Sequence, residues 1–298
     1  MLTRRQTLAA TLPTILFAKI PENACDCHTH IFGDPSRFPF WSGRSYTPPP
    51  ALPEAMAAMH KKLGVKRVVI VTPSVYGTDN SATIMGLRAR GKTARGIAVI
   101  DPKIPDADLD KMHAEGFRGV RLNLATAAPT DSKAARDRFS ATVSRLKRLN
   151  WHLQIYVRSA DVSNFKELIL ASPVPVVIDH VGGAEQSLGA AQPGYSDLVD
   201  VVRQGKAYVK ITHRFLSQGD SPDLAKPLIA ANPDRVLWGT DWPHTDSDPH
   251  RGRKPTDLSP FQNIDDLALL SRFESWVPDA PTLRKILVTN PARLYAFD

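Results

Sequence analysis

The chain contains no apolar run of the ~20 residues that a membrane-crossing helix requires, so no integral membrane segment is expected. It also lacks a dense Lys/Arg run and any basic motif interleaved with aromatics, although Lys and Arg outnumber Asp and Glu by 38 to 30. Nucleic acid is therefore set aside as a partner, and the formal charge of +8 suits attraction of small acidic molecules instead. Cysteine is scarce, with only Cys25 and Cys27. Two thiols at i and i+2 of a strand share a face but lie too far apart for an easy disulfide, and Cys-x-Cys alone is a weak metal signal. They read as buried thiols. There is no internal repeat, no low-complexity linker and no Gly-x-Gly-x-x-Gly turn of the kind that opens a dinucleotide fold. What is present is 42% hydrophobic residues over 298 positions, enough for a sizeable core and incompatible with a disordered chain.

The first 20 residues differ from the rest. Arg4 and Arg5 precede an apolar run from Leu8 to Ala18, broken by Pro13, with small residues after it. Charge, a short apolar stretch and small residues in that order are the layout of an export signal, and the paired arginines resemble a twin-arginine signal. This favours a periplasmic location over a cytoplasmic one. The alternative is an N-terminal helix packed on the body. The expected organisation is a signal-like segment at 1–20 and one folded unit at 21–298.

That unit alternates strand-like and helix-like segments. Apolar, β-branched runs occur at 24–27, 67–71, 96–100, 120–124, 153–157, 174–178, 207–211 and 235–238. Helical patterns lie between most of them, at 54–63, 106–115, 132–149, 159–170, 195–204 and 221–231. The first ends at Gly64 and the second opens on an Asp106 cap. Eight buried strands alternating with helices predict an α/β fold, a single-domain (β/α)8 TIM barrel, with a doubly wound open sheet as the alternative.

A barrel of this kind carries its chemistry at the C-terminal ends of its strands. Polar residues fall there. His28 and His30 follow the first strand; Ser74, Thr78, Asp79 and Asn80 follow the second; Asp101 follows the third. Arg121 and Asn123 sit on the fourth, Tyr156 and Arg158 at the end of the fifth, Asp179 and His180 at the end of the sixth. His213 and Arg214 follow the seventh, and Asp241 and His244 the eighth. A single histidine at a strand end is commonly structural. Three histidines and an aspartate converging on one face point to a reactive site. Three His and an Asp (His28, His30, His180, Asp241) also form a set that could hold zinc.

The stretches "DCHTHIFGDPSRFPF" (26–40), "YTPPPA" (46–51), "TPSVYGTDN" (72–80), "RGVRLNL" (118–124), "VLWGTDWPH" (236–244) and "LVTNPARLYAF" (287–297) together resemble the amidohydrolase superfamily, and within it the 2-pyrone-4,6-dicarboxylate lactonase group. The resemblance spans nearly everything from Cys25 onward. It implies a hydrolase of aromatic-compound catabolism that opens a carboxylated lactone, with Asp241 activating water and His28, His30 and His180 around the scissile carbonyl. Many members of the superfamily use these positions for zinc with a further ligand after strand five. Tyr156 stands there instead, and the lactonase group is similar in working without a required metal. No cofactor is thus expected, with a divalent metal such as zinc as the alternative.

Opening a lactone needs an activated water, a polarised carbonyl and a protonated leaving oxygen. Arg121, Arg158 and Arg214 could hold carboxylates bidentately, and Tyr46, Ser74, Thr78, Asn123 and Tyr156 could bond neutral oxygens. Asp101 is the structural alternative as partner of Arg121. The sequence departs from the group after "RGVRLNL", where Ala125-Thr126-Ala127-Ala128 supplies no second basic residue, and around Arg214, where the segment is shorter. A related lactone therefore fits as well as the pyrone dicarboxylate. The segment 247–263 could form a lid and bring His250, Arg251, Arg253 or Lys254 to the rim. Two other functions remain open: a metal-dependent decarboxylase or amide hydrolase on the same barrel, and a non-catalytic binding protein for an acidic ligand. A monomer or a homodimer is expected.

Overall fold

The β-branched runs pair in sequence order. The computed structural model describes residues 20–125, 132–246 and 252–298, so the signal-like segment up to residue 19 lies outside the described residues. Strands β1 (Cys25–Thr29), β2 (Arg67–Val71), β3 (Ala94–Ala98), β4 (Phe117–Asn123), β5 (His152–Tyr156), β6 (Val176–Ile178), β7 (Ala207–Thr212) and β8 (Val236–Gly239) form one sheet with the spatial order β1 to β8. Every neighbouring pair is parallel. The sheet closes on itself: Asp241 donates its N–H to the His28 carbonyl at 2.7 Å, and His30 donates to the Trp242 carbonyl at 2.8 Å. This is the expected (β/α)8 barrel. Its closing seam is made by the backbone of the very residues picked out as reactive.

The strands have apolar flanks because both of their faces are buried. On β7, Val209 and Ile211 face the helix layer together with Val120, Leu122, Leu153 and Ile155. Tyr208 instead joins Cys25, Cys27, Val69, Val71, Ile97, Val177 and Leu237. The C-terminal residues Leu294, Tyr295 and Phe297 complete this second cluster. Arg95 holds them by donating to the carbonyls of Tyr295 at 3.2 Å and Ala296 at 2.7 Å. Both thiols are buried and unbridged, as the residue spacing suggested.

Helix boundaries follow local chemistry. α1 (Pro53–Leu63) starts on a proline, which has no N–H to leave unpaired, and stops at Gly64, whose φ of 73° suits glycine. α2 (Ser81–Arg90) was not evident as a pattern. α3 (Asp106–Ala114) begins at Asp106, but that carboxylate does not cap it; it bonds Arg145 of α4 (Ser132–Leu146) instead. The pattern at 159–170 divides into a 3-10 segment and α5 (Lys166–Ala171), and the one at 221–231 shortens to α8 (Ala225–Ala231), after α6 (Tyr195–Arg203) and the one-turn α7 (His213–Leu216). The chain ends in α9 (Asp266–Trp276), α10 (Ala280–Arg284) and α11 (Asn290–Tyr295).

The described part of the segment read as a lid, 252–263, is tied down. Thr245 bridges Phe261 and Thr47 bridges Leu258, while Phe261 stacks on Phe32 at 6.3 Å. Arg253 pairs with Asp246 at 2.8 Å and Lys254 is exposed. His250 and Arg251 lie outside the described residues.

Gly239 is where β8 meets β1 most closely. A Cβ there would lie 2.8 Å from both the backbone N and the Cβ of His28. Gly239→Ala must push the seam apart, so we expect thermal stability to fall by about 1–3 kcal/mol and activity to fall with it. Thermal melts alongside steady-state rates check this; an unchanged melting temperature would contradict the tight seam.

Candidate active site

The seam sets the geometry of the site. The β1–β2 register shifts between Asp26 and Thr29. The buried Asp26 carboxylate bridges the strands by accepting from the N–H groups of His28 at 3.1 Å and Thr240 at 2.9 Å, from the Thr240 hydroxyl, and from His60 Nε2 at 3.1 Å. Asp26 was not singled out in the sequence, yet it anchors both ends of the seam. Asp241 follows it in the left-handed region at φ 61°, and His180 is there too at φ 53°. Non-glycine residues held in that region are a form of strain that functional sites tend to retain.

The expected residues largely converge. Asp241 Oδ1 lies 3.3 Å from His30 Nε2 and 3.5 Å from His28 Nε2. Its Oδ2 lies 3.6 Å from His213 Nδ1 and 3.9 Å from Arg214 Nε. The His180 ring is 4.7 Å from that of His28 and 5.0 Å from Tyr156. Arg121 and Arg214 both stand over the Tyr156 ring, at 5.2 and 6.0 Å. Tyr46 is bonded to Ser74, and burial pushes its phenol up to about 12, so it remains a proton donor across the working range. A cavity of about 800 Å³ opens beside the cluster, lined by Ser74, Thr78, Arg121, Asn123, Trp41 and Arg138 among others.

Two expectations are corrected. Arg158 does not join the site: β5 ends at Tyr156, the chain turns into the 3-10 segment, and Arg158 is 62% exposed and paired with Asp161 at 2.9 Å. Asp101 is not the partner of Arg121. It lies exposed in the loop after β3 and accepts from the Lys103 N–H at 2.7 Å, whereas Arg121 Nε donates to Asp179 Oδ2 at 3.0 Å.

Beneath the histidines lies a buried polar layer that sequence reasoning mostly missed. Asp179 Oδ2 also accepts from Gln154 Nε2 at 2.9 Å, and Gln154 Oε1 accepts from Lys210 Nζ at 2.7 Å. Lys210, wholly buried, lies 3.5 Å from Asp179 Oδ1 and 3.3 Å from His28 Nδ1. The available signal was alternation: Tyr208, Lys210 and Thr212 share a strand face, so a lysine amid that face must point into the barrel.

The electrostatics follow from this packing. Burial pushes the His28 imidazole down to about 4 and holds His180 well below its usual range, so both are neutral at neutral pH. Burial would raise the Asp241 carboxyl, but His180, His213, His30 and His28 around it outweigh that, and it sits well below the usual carboxylate range. Asp179 is likewise held low, because the cationic groups beside it, Lys210 first and then Arg121, outweigh its burial.

Acid sensitivity is the consequence for stability. His28 at about 4 and the buried His152, which burial takes to about 3, both titrate below the ~6.5 of an unfolded histidine. Between those values the unfolded chain binds protons that the folded chain does not. Stability present above about pH 6.5 is therefore lost as the pH falls toward 4, by on the order of 3 kcal/mol for each histidine. Melting temperatures measured from pH 7 to pH 4 should fall steadily; a flat profile would contradict the neutral buried rings.

Each ring presents one nitrogen to the site and anchors the other. His30 Nδ1 lies 2.8 Å from the Val71 carbonyl, which can only accept, so Nδ1 carries the proton and Nε2 of the neutral ring offers a lone pair. His180 Nδ1 bonds the Thr212 hydroxyl at 2.7 Å. Among the described residues, His28 Nε2 is buried without a hydrogen-bond partner. Such an orphan is what a reacting oxygen would satisfy.

Among the described residues, two groups have the spacing to hold a metal ion: His28, His30 and Asp241, and His28, Asp179 and His180. His30 is in the tautomer a metal needs. The rest fits poorly. Asp179 already meets Arg121, Gln154 and Lys210, and two cations stand in the wall of the second group. His28 turns its Nδ1 toward an amine, and Tyr156 occupies the end of β5.

Comparison with known proteins agrees with this picture. The profile of the amidohydrolase family matches residues 25–297. The chain is 31% identical over 292 residues to the 2-pyrone-4,6-dicarboxylate hydrolase of Comamonas testosteroni, covering 93% of this chain and 91% of that one. It is 32% identical over 285 residues to the 4-sulfomuconolactone hydrolase of Rhizobium radiobacter, with the same coverage of 93% and 91%. A solved structure from Pseudomonas putida, a candidate 2-pyrone-4,6-dicarboxylic acid hydrolase, superposes with a TM-score of 0.76 at 26% identity, over 93% of this chain and 99% of that one. With a barrel closed through His28, His30 and Asp241, and a family match running from the first strand to the last helix, this chain belongs to the amidohydrolase family.

Proposed function

We propose that this protein is a hydrolase that opens an anionic lactone with its own histidines and aspartate, without a required metal. The observation that carries the reading is the meeting of Asp241 Oδ1 with His28 Nε2 and His30 Nε2 within 3.5 Å, beside a wall carrying Arg121 and Arg214. The lactone hydrolases among its relatives support the reaction class.

Water attacks the lactone carbonyl carbon as Asp241 takes its proton. A carboxylate held this low is a weak base by itself, but His30 Nε2, 3.3 Å away, offers a lone pair that shares the proton. The carbonyl oxygen gains negative charge and accepts from His28 Nε2; a preorganised donor aimed at developing charge is commonly the largest single contribution to such a reaction. The carbonyl carbon–ring oxygen bond then breaks, and the proton held between Asp241 and His30 passes to the ring oxygen. The products are a hydroxyl or enol and a carboxylic acid, which ionises. Arg121, Arg214 and the Tyr46 phenol face the anionic groups.

A panel of lactones assayed with a pH indicator tests this. Carboxylated or sulfonated lactones should acidify the solution with enzyme present, while neutral lactones and amides lag far behind. Amide or decarboxylation substrates turned over in preference to every lactone would contradict it. The 1–20 segment is proposed as an export signal, with the twin arginine pair Arg4-Arg5 as its support. Fractionation of native cells, with the protein found in the periplasm, is the matching test.

A further inference from the structure

We propose that Lys210 is a positioning residue that selects the tautomer of His28: it donates to Nδ1, so the ring proton sits on Nε2, facing the reacting oxygen, and no lone pair is left there for a metal. The proposal deepens the lactonase reading and rests on it for the use to which that proton is put.

The case is a count of donors and acceptors. A charged lysine has three N–H donors and no acceptor. Lys210 Nζ hydrogen-bonds Gln154 Oε1 at 2.7 Å and His28 Nδ1 at 3.3 Å, while Asp179 Oδ1 stands 3.5 Å away as an ionic neighbour that is not hydrogen-bonded. The bond to His28 exists only if Nδ1 is unprotonated. Gln154 is oriented by the same network, with its amide N–H on Asp179 Oδ2 at 2.9 Å and its oxygen toward the lysine. The competing arrangement has His28 Nδ1–H donate to Asp179 Oδ1, also 3.3 Å away. It would set a ring N–H against a lysine N–H at 3.3 Å with no acceptor between them. It would also leave Nε2 as a lone pair, the tautomer that metal-ligating histidines take when their far N–H donates to a carboxylate. Without Lys210, Asp179 would impose that tautomer.

The two histidines of the His-x-His motif therefore hold opposite tautomers. Val71 makes His30 an acceptor at Nε2 and Lys210 makes His28 a donor there. One takes part in holding the water proton; the other polarises the carbonyl. A zinc ion would need both as acceptors. For the group of His28, His30 and Asp241, the poor fit to a metal thus traces to a lysine buried in the barrel wall.

Long-range ¹H–¹⁵N correlation spectra of the labelled protein read the tautomer directly, with His28 assigned by the signals missing from H28Q. The expected result is a protonated Nε2 and a pyridine-type Nδ1; a protonated Nδ1 in the wild-type protein overturns the proposal whether or not any variant folds. In Lys210→Met the pattern should reverse, zinc affinity measured by chelator competition should rise about 10–100-fold, the range that outer partners of metal ligands control, and kcat should fall with little change in KM. Lys210→Gln, smaller but still polar, serves if the methionine variant does not fold. Unchanged zinc affinity and an unchanged His28 spectrum in a folded variant also overturn it. Spectra as expected in a protein that opens no lactone would leave the tautomer assignment standing and remove the lactonase reading.

Discussion

Replacing Asp241 with Asn leaves a folded protein whose lactone turnover is about 10²–10⁴-fold slower, the usual cost of losing a general base. The size of the effect follows from geometry. Asp241 Oδ1 lies within 3.5 Å of both His28 Nε2 and His30 Nε2, so it is the carboxylate placed to take the proton of the attacking water, with His30 sharing it. Survival of the fold follows from electrostatics. The neighbours of Asp241 are imidazoles, of which burial keeps His28 and His180 neutral, and Arg214, whose side chain is 42% exposed and can turn to water. Removing the carboxylate charge therefore strands no buried cation. Circular dichroism and melting temperature should match the wild type while kcat collapses. Retention of more than about half of the wild-type rate would remove Asp241 from the role given to it.

Arg121→Met has the second-largest expected effect, and it is a double one. From sequence, the substrate carboxylate and a structural partner were alternatives for this guanidinium. The structure gives it a structural partner, Asp179 at 3.0 Å, and also places it in the wall of the 800 Å³ cavity and over the Tyr156 ring. We therefore expect kcat/KM for anionic lactones to fall by roughly 2–5 kcal/mol of lost interaction. The melting temperature should fall as well, by a few degrees rather than catastrophically, since Asp179 keeps Lys210 and Gln154. Neutral lactones, already poor substrates, should lose much less. Equal losses for neutral and anionic lactones would reduce Arg121 to its pairing with Asp179.

The sequence disclosed the barrel and most of the reactive cluster because both are written locally. Each strand is a short β-branched run, and His28, His30, His180 and Asp241 stand within three residues of a strand end, where a barrel gathers its chemistry. What stayed hidden was set by contacts across the chain. Arg158 keeps the i, i+2 relation to Tyr156, but the strand stops at Tyr156 and the relation stops with it. Lys210 drew no attention in the sequence, because its pairing with Asp179 across 31 residues leaves no local mark. The seam shows the same limit. Asp26 looks unremarkable in "CDCH", yet it binds His28, Thr240 and His60 at once, an arrangement that exists only after β8 has closed on β1.

The proposed chemistry is the opening of an anionic lactone by His28, His30 and Asp241 without a metal. Proton release measured for chelator-treated enzyme, with its metal content determined on the same sample, tests it most directly. One proton is expected per lactone opened, at a rate that neither chelator nor added zinc increases, for a carboxylated or sulfonated lactone. Turnover that vanishes on metal removal and returns in proportion to zinc restored would contradict it.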